Sequence, residues 1–86
     1  MDKDKYFRTQ NFYAASFLYS RGLELIGINK ENPKKCEFVF LDTPERELLL
    51  AAFNFNKEDD IHVMIDAREL IWAIKDLKNK LYQTLI

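Results

Sequence analysis

Phe38-Val39-Phe40-Leu41-Asp42-Thr43-Pro44-Glu45 is the stretch from which the fold of this 86-residue chain is read. Its first four residues are aromatic or branched and alternate along a strand, Phe38 and Phe40 on one face, Val39 and Leu41 on the other. Its last four open a helix. Asp42 or Thr43 can supply the capping oxygen, Pro44 sits where a missing N–H costs nothing, and Glu45 favours the positive end of the helix. With Asp42 as the cap, Glu45 completes a capping box.

Upstream, the strand extends back to Lys35, with Cys36 sharing the Phe38 face and Glu37 the Val39 face. Both faces are mostly apolar, so we expect a central strand buried on both sides. Asn29-Lys30-Glu31-Asn32-Pro33-Lys34 is polar, with two Asn and a Pro, and makes a hairpin loop to an earlier strand, Leu23 to Asn29. That strand alternates weakly, with Glu24, Ile26 and Ile28 on one face and Leu23, Leu25 and Gly27 on the other. Before it, Thr9 or Asn11 caps a helix running from Phe12 to Tyr19 whose apolar residues nearly encircle it, so it calls for cover on more than one side. Arg21-Gly22 ends that helix, Gly being free to take the left-handed conformation. The charged opening, Met1 to Arg8, is expected to fray.

Downstream, the capped helix runs through Glu47 to Phe53 and fades at Asn54-Phe55-Asn56. Lys57-Glu58-Asp59-Asp60 is a solvated loop, and Ile61 to Ile65 alternates as a short third strand. Asp66-Ala67-Arg68-Glu69 repeats the capping-box spacing before the longest helix, which reaches about Thr84. Leu70, Ile74, Leu77 and Leu81 form its apolar stripe, widened by Ile71 and Tyr82, while Lys75, Asp76, Lys78, Asn79 and Lys80 face solvent. The expectation is an α+β fold, helix-strand-strand-helix-strand-helix around a small two- to three-stranded sheet, as a single domain over residues 1–86 with 1–8 as a frayed tail.

Hydrophobic residues make up 48% and charged residues 31% of the chain, the balance of a globular domain rather than a disordered one. Thirteen Lys and Arg against fourteen Asp and Glu leave a formal charge of −1, so no global field draws in nucleic acid or an acidic membrane. Any such binding needs a local patch. The single Cys36 cannot form an internal disulfide, which favours a reducing compartment, and the longest apolar run, Leu48 to Phe53, is far short of the roughly 18–20 residues that span a bilayer. The charged start has no apolar run behind it that could serve as a signal peptide. Together these point to a cytoplasmic protein with no membrane partner.

Chemistry is harder to assemble. His62 and Cys36 are each the only residue of their kind, so one chain cannot supply a zinc set of Cys and His ligands. As a nucleophile pair they are outweighed by a small buried Cys and a strand His. Glu58, Asp59, Asp60 and Asp66 match no calcium loop and lack its central Gly. Gly22 and Gly27 alone make no phosphate-cradling loop. We therefore expect no enzyme, no catalytic residue, no metal and no cofactor. For nucleic acid the candidates are Lys30, Lys34 and Lys35 around the hairpin, since lysines track phosphates while bases stack on nearby rings; Lys3, Lys5 and Arg8 in the tail and Lys75, Lys78 and Lys80 on the last helix come second. Against this, Phe38 and Phe40 are better placed as core.

The Phe12-Tyr13-Ala14-Ala15-Ser16-Phe17-Leu18 helix with Gly22 behind it, the Phe38 to Glu45 joint, Ile65-Asp66-Ala67-Arg68-Glu69-Leu70 and Leu77-Lys78 resemble, in that order, a family of small uncharacterised bacterial, archaeal and phage proteins known only as a domain of unknown function. The resemblance covers nearly the whole chain. It implies no activity, cofactor or catalytic residue, and it suggests a prokaryotic or mobile-element origin.

Two strands apolar on both faces and a nearly all-round apolar helix present more adhesive surface than a small sheet and three helices hide. Symmetric pairing of two copies would cover it. The expected function is thus a non-catalytic protein-interaction module, acting as a homodimer or accessory protein with a protein partner; the alternative is a single-stranded nucleic-acid binder using the basic hairpin.

Overall fold

The computed structural model describes residues 5–55 and 65–83. In chain order these form β1 (Tyr6–Thr9), α1 (Phe12–Ser20), β2 (Leu25–Asn29), β3 (Glu37–Leu41), α2 (Pro44–Phe55) and α3 (Ala67–Tyr82). The class is α+β, with a three-stranded antiparallel sheet in the order β1-β3-β2. The strand of the Phe38 to Leu41 stretch is its centre, as its sequence demands.

One element differs from expectation at the start of the chain. The opening stretch, expected to fray as far as Arg8, enters the sheet from Tyr6: Phe7 pairs with Phe40 and Thr9 with Phe38. The backbone N–H of Asp42 donates to Lys5 O at 2.7 Å and prolongs that ladder. The expected third strand falls almost wholly on Ile61 to Met64, outside the described residues, as do the Lys57 to Asp60 loop and His62.

The pairing of β2 with β3 carries a bulge. Leu25 pairs with Phe40 but Gly27 with Val39, so Ile26 is an extra residue that breaks the strict alternation expected of this strand. The shift turns both Leu25 and Ile28 onto the core, where regular alternation would oppose them, and leaves Ile26 48% exposed. Beyond the β2 end, Asn29 and Asn32 accept backbone N–H bonds from Glu31 and Lys34 through their side chains and shape the hairpin loop. The loop runs on to Cys36, so β3 starts at Glu37 rather than Lys35.

All three helices lie against one face of the sheet. Phe38 and Phe40 are buried there among Ala15, Phe17, Leu18, Leu49 and Leu77, with Phe7, Leu25 and Ile28 packed around them. α1 is the middle of the helical layer, and its run Ala14 to Leu18 is buried without a break, which is the cover its encircling apolar residues require. Buried Ser16 meets its hydrogen-bonding need by donating to Phe12 O at 2.9 Å. The stack of Phe17 on Phe53, 5.1 Å between centroids, joins α1 to α2.

Caps at the α1 and α3 starts follow the sequence. Asn11 Oδ1 accepts the N–H groups of Tyr13 and Ala14, and Asp66 Oδ1 accepts that of Arg68 at 2.8 Å. At the α1 end, Leu23 N–H donates to Leu18 O and Gly22 N–H to Tyr19 O, with Gly22 at φ 98°, a complete Schellman closure. Leu18 and Leu23, brought together by it, are both core residues.

The α2 start departs from expectation. Asp42 spends its carboxylate on the Arg46 side chain, and Thr43 Oγ1 is buried with no hydrogen-bond partner. Neither supplies the expected capping oxygen; the first turn is closed by the Thr43 carbonyl accepting from Arg46 N–H at 3.0 Å. On α3, Ala73 and Leu77 are the buried positions, whereas Ile71 and Tyr82, expected to widen the apolar stripe, are exposed.

The far face of β3 is not buried as expected. Val39 is half-buried and Leu41 is 36% exposed, so the sheet is covered by helices on one side and open on the other.

Candidate functional site

Among the described residues, three places bring chemistry-bearing side chains together. One is a groove of about 390 Å³ between the β2–β3 loop, the start of α1 and the last turns of α3. Lys34 and Lys35 from the loop and Lys78 from α3 line it, along with Gln10, Phe12 and Tyr82, and among the described residues no carboxylate lines it. Phe38 lies at its back, with the Phe12 ring tilted against it at 5.8 Å between centroids.

Of the three hairpin lysines singled out in the sequence, the structure therefore brings two to one cavity. Lys30 goes elsewhere: its Nζ donates to Lys80 O at 3.0 Å, where a cation suits the carbonyl end of α3. Lys78 joins the groove in its place. Cys36 lines the same cavity, half-buried, with Sγ 3.7 Å from Pro33 O, and is not part of the core. Its imagined partner His62 lies outside the described residues.

A second cluster joins α1 to α3. Tyr19 Oη donates to Asp76 Oδ2 at 2.5 Å, and Lys80 Nζ lies 3.8 Å from the same oxygen. The hydrogen bond to Asp76, then burial, then the nearby negative charge push the Tyr19 phenol up to about 12. The Tyr19 ring also stacks on Trp72, 5.5 Å between centroids and 13° between planes, and Trp72 remains 57% exposed.

A third lies at the joint from which the fold was read. Arg46 grips Asp42 with two hydrogen bonds, Nε to Oδ1 at 2.9 Å and Nη2 to Oδ2 at 3.1 Å, and sets its guanidinium carbon 4.3 Å from the centre of the Phe7 ring. The Arg46 hydrogen bonds hold the Asp42 carboxyl below its ordinary value, against the opposing effect of burial. The fork thus ties β1, the end of β3 and the first turn of α2. It is a structural clasp, since both side chains are used by each other.

The open face of the sheet is a different kind of surface. Register places Tyr6, Arg8, Val39 and Leu41 on it, flanked by exposed Ile26 from the bulge and by Glu37. Among the described residues no three His, Cys, Asp or Glu side chains gather as a metal set, and no helix is long and apolar enough to cross a membrane.

Nothing among curated proteins or solved structures matches this chain. One family model does, over residues 4–83, and its description is a domain of unknown function, DUF5659. The chain belongs to that family, as the order of its motifs implies.

Proposed function

We propose that this member of the DUF5659 family is a non-catalytic interaction module that works as a homodimer through the open face of its sheet. The observation that carries the proposal is the one-sided burial of the sheet: Phe38 and Phe40 are covered, while Leu41 and Ile26 on the central strand and its bulged neighbour stay in solvent. Branched side chains side by side on a sheet face are the surface that a second sheet or a partner buries.

A second copy suits this face in particular. Arg8 and Glu37 stand on it together, one cation and one anion, on neighbouring strands around Val39. A two-fold axis through the face sets Arg8 of one copy toward Glu37 of the other, with the apolar positions meeting between them. Sedimentation equilibrium over a range of concentrations tests this. The proposal expects a species of about twice the 10.3 kDa chain mass, reduced to a single chain by Leu41→Lys. A single-chain mass for the natural sequence at every concentration would overturn it.

A further inference from the structure

We propose that the groove between the β2–β3 loop and the end of α3 binds single-stranded nucleic acid, one base entering between rings while lysines hold the flanking phosphates. Three lysines from two separate elements, Lys34, Lys35 and Lys78, converge on one cavity, and none of its described lining residues is a carboxylate. In a chain with a formal charge of −1 this is a local positive site rather than a consequence of composition.

The rest of the lining specifies what kind of anion. Phe12 and Tyr82 present ring surface to the cavity, and Tyr82 is 73% exposed, an aromatic that the fold does not use for packing. Bases stack on such rings whatever their sequence. Gln10 adds an amide with both donors and an acceptor, able to meet a base edge. A cavity of about 390 Å³ is of a size to take one base with its sugar.

A strand suits the site better than a free nucleotide because an exposed face of α3, with one further lysine, Lys75, leads out of the cavity. Ile71, Lys75, Lys78 and Tyr82 follow one another at helical spacing along α3 and are all exposed. At 1.5 Å per residue they make a track of roughly 16 Å leading into the groove. The self-association face lies on the open side of the sheet, so the two proposals stand or fall separately.

The test is fluorescence anisotropy with a labelled thymidine decamer and a labelled uridine decamer, titrated at several salt concentrations, with adenosine monophosphate as competitor. Binding is expected to weaken with salt at a logarithmic slope of about −2, for three phosphates on a single strand. The Lys34→Ala, Lys35→Ala, Lys78→Ala triple variant should lose at least tenfold in affinity, and Tyr82→Ala about fivefold or more. Arg21→Ala, at the opposite end of α1, should bind as the natural chain does. All these side chains are exposed, and circular dichroism checks that the variants fold. No binding of either decamer at low salt, an undiminished triple variant, or a monophosphate that competes as well as a decamer would each overturn the proposal.

Discussion

The Tyr19 hydroxyl donates to the Asp76 carboxylate at 2.5 Å, tying the middle helix of the layer to α3 above a stack of Tyr19 on Trp72. Because the phenol is held up to about 12 from an ordinary 10.0, the fold favours its protonated form. This contribution to stability is fully present below pH about 10 and is lost as pH rises through the folded value. Near-ultraviolet absorbance titration should therefore show Tyr19 ionising at about 12, and Asp76→Asn should bring it back toward the ordinary 10.0. A Tyr19 that titrates at the ordinary 10.0 in the natural chain would show that the bond does not persist in solution.

Phe40 is 0% exposed at the centre of the sheet, packed on both helical and strand neighbours. Phe40→Ala should cost about 3–5 kcal/mol, measured by urea denaturation, because the ring's transfer energy and the cavity it leaves add together. For a domain this small, that is a large share of total stability. A loss below about 1 kcal/mol would mean that the site refills or is not core.

Gly22 and Gly27 make a controlled pair. An added Cβ meets nothing within 4 Å at either, but Gly22 has φ +98° while Gly27 does not lie in that region. Gly22→Ala should therefore destabilise by roughly 1–2 kcal/mol through backbone strain alone. Gly27→Ala should be close to neutral in the same thermal melt.

These expectations rest on features that differ in how far sequence could supply them. The Asn11 and Asp66 caps, the Gly22 closure and the Phe38–Phe40 centre depend on residues a few positions apart, and local chemistry is enough to place them. The strand Tyr6–Thr9 is four residues beside a charged tail, and it becomes a strand by pairing with distant β3. The bulge at Ile26 defeats period-two reading, since it is that extra residue which lets Leu25 and Ile28 share a face. Asp42 carried the sequence signature of a cap, but the arginine one turn on offered two charged bonds in place of one backbone N–H. Lys34 and Lys35 were legible as a basic loop; Lys78, Phe12 and Tyr82 join them only once three separate elements have packed.

The Asp42–Arg46 pair should give the fold an acid-sensitive component. The Asp42 carboxyl is lowered, so its contribution is present above the ordinary carboxylate value near 3.9 and is lost as pH falls through the folded value. Both side chains are between a fifth and a quarter exposed, so the pair is worth about 1 kcal/mol at most. Asp42→Asn should flatten the acid limb of stability against pH, while Arg46→Lys should lose the forked geometry and the contact over Phe7 with the charge retained. An acid limb unchanged in Asp42→Asn would assign the sensitivity to other carboxylates.

Self-association through the open sheet face is tested most directly by isotope-filtered nuclear Overhauser measurements on a mixture of labelled and unlabelled protein, which detect only contacts between different copies. Signals are expected from the Leu41 and Val39 methyl groups of one copy to Tyr6 or Ile26 of another, at concentrations where sedimentation shows two chains. Intermolecular signals arising instead from Leu48, Ile71 or Trp72, or none at all, would contradict it.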